Sequence, residues 1–344
     1  MGVSLIQAYI WKRLFSLVIL VAVITASMFL IVSVILWSPS MIANGWKQQQ
    51  IFIYVVCEIP WFLSNIYPAV IAVGTLMAFT LFAQNNELVV LQASGLSQID
   101  FIKLIFLPAI VLAIVGFILI SYLGPMGYNF SEKIGLKSVS FHSVWMKEKN
   151  NIITIKKVPG NKLYDITIFD LKKSGIKKLY EVKEATFGNT SQLQSVIVKN
   201  YNKNAVTQQY LPKLSWPDLF PDAVSLKLLS KSQRRLSLLQ LYQIIKMQKK
   251  MGLSSKNYQF RLWQMILLPF FSLMLMFTMI PFAFREKRSK GFVNTMVLGL
   301  VISLIFYFFN QTAWSLSVLL NLPMFLGALI APVSVTLLLI IFLW

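Results

Sequence analysis

The chain carries few of the side chains on which catalysis depends. It has one histidine, His142, and one cysteine, Cys57, so it can form no internal disulfide and no metal site built from several of these residues. It contains no P-loop of the form G-x-x-x-x-G-K-S/T, no G-x-S-x-G elbow and no H-E-x-x-H motif. We therefore expect no catalytic site and no cofactor bound by this chain. If the protein moves a substrate uphill, the energy comes from a partner or from an ion gradient.

The clearest functional signal is a polar break, Gln84–Lys103, between two long apolar runs. We predict a small helix near 86–99 that lies at the membrane surface. The residues that carry this prediction are Glu87, Leu88, Val89, Val90, Leu91, Gln92 and Gly95. In a solvated turn these four successive apolar residues would be exposed to water. Another surface is therefore expected to bury them. A groove in a soluble partner would cover them and contribute about 1.5–3 kcal/mol for each buried side chain. The membrane surface could cover them instead.

Long stretches without charge on either side of this break indicate a membrane protein. Of the 344 residues, 57% are hydrophobic and 13% are charged, which is less charge than a soluble domain has. A helix needs about 20 apolar residues to cross a bilayer core. The apolar runs predict six transmembrane helices, at 14–37, 60–83, 104–124, 262–284, 293–316 and 324–343. The first run is too long for a signal peptide, and no small-residue cleavage site ends it.

Basic residues beside the spans predict the orientation. Two of them precede the first helix and four lie between the fourth and the fifth: Lys12, Arg13, Arg285, Lys287, Arg288 and Lys290. Because short cytoplasmic loops are enriched in Lys and Arg, both termini and the polar break are predicted to be cytoplasmic. The long segment 125–261 then lies outside, since long domains cross a membrane largely regardless of charge.

That outer segment is predicted to be an all-β domain. Tyr164, Ile166 and Ile168 alternate with polar residues, which is typical of a half-buried strand. Val144–Met146 and Ile152–Ile155 flank a predicted hairpin turn. Gln194–Tyr201 and Val206–Leu211 are further strand candidates. Together these signals favour a small antiparallel sandwich or open barrel.

The resulting plan has three helices, an inserted domain and three more helices. The boundaries are 1–125, 126–235 and 236–344, the last part beginning with a connecting helix capped by Ser237 and Gln240. The outer domain is rich in Lys. Either it binds an anionic partner such as a polyanionic glycolipid, or the excess only reflects a Lys-rich composition throughout the chain.

One polar cluster, Asn310, Gln311 and Thr312, lies inside a predicted span. Such residues hydrogen-bond membrane helices to each other, or they line a substrate path. The sequence leaves both interpretations open.

Several of these segments resemble one family. ELVVLQASGLSQIDFIK resembles the coupling-helix region of the lipopolysaccharide export permeases, the LptF/LptG family, and is more similar to the G-type than to the F-type subunit. Ser143–Lys147 resembles the start of the family's outer jellyroll, and Phe306–Gln311 resembles its fifth helix. The resemblance covers nearly the whole chain, including the six-helix plan.

The resemblance implies a fold of six membrane helices with an inserted, jellyroll-like periplasmic domain, in a multi-pass protein of the bacterial inner membrane. The implied function is a permease subunit of an ABC transporter that exports lipopolysaccharide toward the outer membrane. The implied partners are an F-type permease subunit, a cytoplasmic ATPase dimer that hydrolyses the ATP, periplasmic bridge proteins, lipopolysaccharide and the membrane, but no nucleic acid.

The resemblance also assigns roles to residues. Glu87 and the residues from Leu88 to Gln92 would contact the ATPase, and the first and fifth helices would line the lipid cavity. The cavity candidates are Phe29, Val32, Trp37, Phe306, Tyr307, Asn310 and Gln311. G-type members carry lysines at the outer end of the first helix, whereas this chain has an uncharged stretch there, Leu36–Ser40.

Three other functions remain open at this point. The chain could be an F-type subunit of the same transporter, or a membrane-anchored assembly scaffold whose β domain binds a partner without transport. A membrane enzyme acting on lipid is disfavoured, because the sequence has no catalytic constellation.

Overall fold

The computed structural model describes most of the chain. The residues described are 2–93, 95, 98–134, 144–148, 151–157, 162–172, 175–186, 190–202, 205–217, 228–229, 236–251, 253–285 and 292–343. They form two compact units: a helical unit, Met1–Leu136 with Phe260–Trp344, and a unit built mainly of strands, Lys137–Gln259. His142 and the basic residues Lys287, Arg288 and Lys290 lie outside the described residues.

The chain has a long helical part before the strands and another after them. The first contains α1 (Gly2–Ala43), α2 (Gln48–Gln84), α3 (Glu87–Ala93), α4 (Gln98–Ile118), a π-helical turn (Leu119–Leu123) and α5 (Gly124–Ile134). The second contains α6 (Leu238–Lys250), α7 (Lys256–Arg285), α8 (Phe292–Leu319) and α9 (Met324–Leu343).

Five stretches within the described residues are long and apolar enough to cross a membrane. They are Ile6–Ala43, Gln48–Gln84, Asp100–Ser131, Lys256–Ile280 and Gly299–Leu319. They contain most of each of the first five predicted spans, and the sixth predicted span coincides with α9, which has 20 residues. The predicted fold class, membrane helices with an inserted β domain, is confirmed.

Helix α2 begins earlier than the sequence suggested. The apolar stretch 51–59, which precedes the predicted span 60–83, is part of this helix, which continues through Pro60. A proline inside a helix removes one backbone donor and crowds the preceding turn, but a long apolar helix held by its neighbours tolerates this.

Helices α1 and α8 both pack on α2 at close range. A Cβ atom added at Gly74 of α2 would lie 2.8 Å from the Cα of Val18 in α1. A Cβ atom at Gly299 of α8 would lie 2.8 Å from Cδ2 of Leu76 in α2. Small residues at such crossings let helix backbones approach closely, which strengthens packing between membrane helices. Among the described helices of this unit, α2 accordingly carries the largest number of buried residues.

A Gly74→Val substitution is expected to push α1 away from α2, because the new Cβ would meet backbone as well as side-chain atoms of Val18. Overpacking of this kind costs about 1–3 kcal/mol. We expect a clearly lower apparent melting temperature of the purified protein in detergent. Adding Val18→Ala removes Cγ2 but leaves the clash with the backbone of α1, so it should recover only part of the loss. A Gly74→Val protein that melts at the wild-type temperature would contradict the close crossing.

The six strands form one antiparallel sheet in chain order. They are β1 (Val144–Glu148), β2 (Asn151–Lys157), β3 (Lys162–Lys172), β4 (Gly175–Thr186), β5 (Thr190–Asn202) and β6 (Ala205–Pro217). The predicted hairpin is confirmed, with Val144 opposite Ile155. Apolar side chains that the register places on one face are buried: Met146, Ile153, Ile155, Ile166, Ile168, Val182, Val196 and Val198.

Two residues with left-handed backbone interrupt the alternation of the strands. Asp165 and Ser195 both have φ of 55°, which residues with a side chain rarely adopt. Before Asp165 the buried residue is Leu163, and after it Ile166 and Ile168 are buried. The predicted alternation is therefore confirmed for Ile166 and Ile168 and wrong for Tyr164, which is only half-buried.

Helix α6 begins with the predicted capping box. The backbone N–H of Gln240 donates to Oγ of Ser237 at 3.5 Å, and the backbone N–H of Ser237 donates to Oε1 of Gln240 at 3.2 Å. The two bonds satisfy donors that the first turn leaves without partners inside the helix.

Candidate functional site

A sharp turn at two asparagines separates helix α3 from α2. Asn85 ends α2, with its backbone N–H bonded to the carbonyl of Leu81 at 3.1 Å. Asn86 has φ of 60°, a conformation that asparagine adopts more readily than most residues. Beyond α3, Gly95 has φ of 91°, where a Cβ would be strained. A residue with left-handed backbone thus lies on either side of the helix.

The first residue of α3, Glu87, is held by three side chains. Its Oε1 accepts hydrogen bonds from Arg13 Nη1 at 2.9 Å, Asn85 Nδ2 at 3.0 Å and the Tyr9 hydroxyl at 3.3 Å. Arg13 Nη1 also donates to the Tyr9 hydroxyl oxygen at 2.7 Å. The carboxylate is therefore the point at which the N-terminal part of α1 and the end of α2 both meet α3.

An aromatic ring completes this arrangement beneath the arginine. The guanidinium carbon of Arg13 lies 4.9 Å from the ring centroid of Phe82, which is buried. Tyr9 packs edge-on against the same ring, with 5.9 Å between centroids. The ring quadrupole attracts the cation, and the effect is larger where water is excluded. We call Tyr9, Arg13, Phe82, Asn85 and Glu87 the Glu87 cluster.

The surroundings of Glu87 keep its carboxylate charged. Partial burial raises the pKa of Glu87, but the hydrogen bonds from Asn85, Arg13 and Tyr9 and the charge of Arg13 lower it more, so the pKa lies below its ordinary value. A group with a lowered pKa contributes stability that is complete above its ordinary pKa and is lost as the pH falls through the lowered value. The ion pair therefore persists throughout the physiological range and is lost only as the pH falls below the ordinary pKa of a glutamate.

Helix α3 also carries exposed apolar side chains, one of them a single turn from Glu87. Val90 is 67% exposed and Val89 is also exposed, whereas Leu91 is half-buried. The side chains of Leu88 and Gln92 lie outside the described part of the chain. On this seven-residue helix, the exposed valines beside the partly buried ion pair form an apolar surface, which a partner or the membrane is expected to bury.

The cavity candidates on α1 take two different positions. Val32 is exposed. Phe29 stacks on Phe62 of α2, with ring centroids 4.1 Å apart, and Trp37 packs edge-on against Phe29 and Tyr54. Phe29 and Trp37 therefore pack largely against α2, and Val32 belongs to the exposed face.

The candidates on α8 divide in the same way. Tyr307 is 49% exposed and Gln311 is also exposed. Phe306 is 4% exposed and packs edge-on against Phe271 of α7, with 6.5 Å between centroids. Asn310 accepts a hydrogen bond from Gln264 of α7 at 3.3 Å. The predicted cluster is thus split, with Asn310 joining two helices and Gln311 on the open face.

Both α1 and α8 leave a broad apolar face uncovered. On α1 this face includes Ile24, Met28, Ile31, Ile35 and Leu36, and on α8 it includes Leu300, Val301, Leu304 and Phe308. In helices of this composition such faces meet lipid, a lipid substrate or another membrane helix.

Two features of these helices were missed at the sequence level. Glu58 was expected outside the spans, but it lies within α2 and is 2% exposed. An ionisable residue so placed is rare in membrane helices. The apolar stretch leading into Glu58 was the signal that the helix starts earlier. Arg13 was used only for topology, although Tyr9 and Arg13 are spaced i, i+4 ahead of an apolar run and can both bond to one glutamate in the polar break.

The helices and the site define a multi-pass membrane protein with an inserted β domain and a small surface helix tied to its first span. The family model described as "Lipopolysaccharide export system permease LptF/LptG" matches residues 8–344. This chain belongs to that family and is a permease of lipopolysaccharide export.

Two relatives carry the name "Lipopolysaccharide export system permease protein LptG", one from Escherichia coli strain K12 and one from Escherichia coli O6:H1 strain CFT073. Each is 23% identical to this chain over 297 residues, which cover 82% of this chain and 81% of the relative. The predicted family is confirmed.

Proposed function

We propose that this chain is the G-type permease subunit of an ABC transporter that extracts lipopolysaccharide from the inner membrane and exports it toward the outer membrane. ATP is hydrolysed by a separate cytoplasmic ATPase dimer. The single observation that carries the proposal is the exposed apolar side of α3 next to the Glu87 cluster. The similarity to the two LptG relatives supports the G type.

In this proposal α3 is the coupling helix. Val89 and Val90 enter a groove of the ATPase, which provides the cover that they lack in the chain itself. Glu87 links the docked helix to α1 through Arg13 and Tyr9. A displacement of α3 by the motor therefore acts on α1 without passing through a flexible segment.

The open faces of α1 and α8 are proposed to meet the lipid and the F-type subunit. Val32, Tyr307 and Gln311 would line the cavity, while Phe29, Trp37, Phe306 and Asn310 would support the walls from behind. The apolar composition of both faces suits the acyl chains of a glycolipid. In this assignment the exposed candidates line the cavity, and the buried or half-buried candidates support them.

The proposed location is the inner membrane with both termini and α3 in the cytoplasm. The sheet unit would then be periplasmic and would pass the lipid to bridge proteins. Lys12 and Arg13, in the N-terminal part of α1 ahead of its charge-free run, support this orientation.

Purification of the tagged chain from membranes tests the proposal. We expect a P-loop ATPase and a second six-helix permease to copurify in fixed ratio, and ATP to drive release of lipopolysaccharide from reconstituted vesicles. If neither protein copurifies, and deletion of α3 leaves partner binding by the sheet unit intact, the chain acts as an assembly scaffold instead.

A further inference from the structure

A small polar cavity lies inside the helical unit, where α2, the π-helical turn, α7 and α8 meet. Its volume is about 20 Å³, and a single water molecule needs roughly 10–15 Å³ and two to four polar partners. The cavity is lined by Ser64, Asn65, Ile120, Arg261, Gln264, Met265, Leu268 and Asn310. Space and polarity therefore fit one water and nothing larger.

Side-chain amides line the cavity and can each form several hydrogen bonds. Gln264 Nε2 donates to Asn310 Oδ1 at 3.3 Å, and Asn65 Nδ2 donates to the carbonyl of Trp61 at 2.7 Å. A side-chain amide has two donor hydrogens and an oxygen with two lone pairs, so each of these groups can form further hydrogen bonds. These amides come from three helices, and a polar group inside a bilayer needs a partner within the protein.

The backbone around the cavity is irregular as well. Ile120 lies in the π-helical turn, a feature found frequently at functional sites. A Cβ added at Gly124, directly after that turn, would lie 3.1 Å from Oγ of Ser64. The turn thus brings α2 close to the start of α5 at the edge of the cavity.

We propose that one water molecule occupies this cavity, bridges Asn65, Gln264 and Asn310, and thereby positions α8 against α2 and α7. Tyr307 and Gln311, on the exposed face of α8, flank Asn310 along the chain. Fixing the rotation of α8 at Asn310 fixes which side chains that face presents. The importance of this face for the glycolipid rests on the proposed function. The water site and the positioning of α8 do not depend on it.

Radiolytic hydroxyl-radical labelling with mass spectrometry tests the water directly. Radicals formed at a bound water oxidise neighbouring side chains, and methionine reacts readily. Met265 lines the cavity although it is 1% exposed, while Met276 and Met279 are fully buried on the same helix. We expect Met265 to be oxidised several-fold faster than Met276 and Met279. Equal rates for the three methionines would overturn the water site.

Substitution of Asn310 tests the positioning role. Asn310→Leu removes the amide and fills space, so oxidation of Met265 should fall to the rate of Met276, whereas Asn310→Ser keeps a hydroxyl and should retain the labelling. In Asn310→Leu, α8 is free to rotate about its axis, which would expose the buried Phe306. The oxidation of Phe306 should therefore rise relative to that of Tyr307. If Met265 labelling is lost but the ratio of Phe306 to Tyr307 oxidation stays unchanged, the positioning role is overturned. If Asn310→Leu does not fold, the wild-type comparison of the three methionines still decides the water site. Neither readout uses the ATPase or lipid export, so failure here is separate from failure of the proposed function.

Discussion

Reversing the charge at Arg13 is expected to detach helix α3 from α1 and to abolish most of the ATPase association. Arg13→Glu places a second carboxylate where Glu87 now receives a 2.9 Å hydrogen bond from Nη1. Loss of a partly buried, charge-assisted hydrogen bond costs about 1.5–3 kcal/mol, which corresponds to a roughly 10- to 100-fold change in an equilibrium. The measurement is the amount of ATPase retained by the tagged chain and the ATP hydrolysis rate of the complex.

The double variant Arg13→Glu with Glu87→Arg distinguishes two roles of the glutamate. If Glu87 acts by holding α3 in place, the exchanged pair should recover much of the ATPase. If Glu87 itself touches the ATPase, the exchange should recover none. Lys12→Glu is the matched control, since Lys12 is the neighbouring base and is exposed to solvent. An Arg13→Glu protein that retains ATPase as well as Lys12→Glu does would contradict the role of the Glu87 cluster.

A carboxylate at Val90 is expected to remove the ATPase altogether. The substitution Val90→Asp takes away a side chain that docking would bury and forces a charge into an apolar groove. The lost burial alone is worth about 1.5–3 kcal/mol, and the desolvated charge adds to it, so retention should fall by at least about 100-fold. Copurification with the ATPase at matched expression in the membrane measures this loss.

The sheet unit offers the control for this substitution. Val206 in β6 is 59% exposed, close to the value for Val90, so Val206→Asp makes the same chemical change on a surface without a proposed role in docking. Val206→Asp should retain the ATPase fully. If Val90→Asp retains it equally, the exposed valines of α3 lie on lipid instead.

The sequence predicted the membrane fold well because its physical signal is local. A charge-free run long enough to cross a bilayer forms a helix whatever surrounds it, since every backbone group must be bonded within the segment. The β hairpin at Val144–Ile155 was likewise predictable from neighbouring residues. The prediction for Tyr164 failed because alternation assumes a regular strand, and nothing in the pattern shows the left-handed backbone at Asp165.

The site was predicted only in part, because its contacts join distant residues. Glu87 and Arg13 are 74 residues apart in the chain, and no periodicity connects them. On α8 the run from Phe306 to Phe309 is apolar on every side, so the sequence does not distinguish the buried Phe306 from the exposed Phe308. Only the positions of α2 and α7 determine which ring is covered.

The uninterrupted length of α1 has a mechanical consequence. Arg13 and Trp37 lie on one continuous helix, about 36 Å apart at 1.5 Å per residue, and the only proline of that helix, Pro39, comes after both. Between Arg13 and Trp37 the helix therefore has no proline at which it would kink and absorb a displacement of one end. The close crossing of Val18 with Gly74 lies much nearer to Arg13 than to Trp37, and Phe29 and Trp37 also pack on α2. In the proposed function, a displacement at the Glu87 cluster would therefore reach the other end of α1 only by shifting these ring contacts against α2.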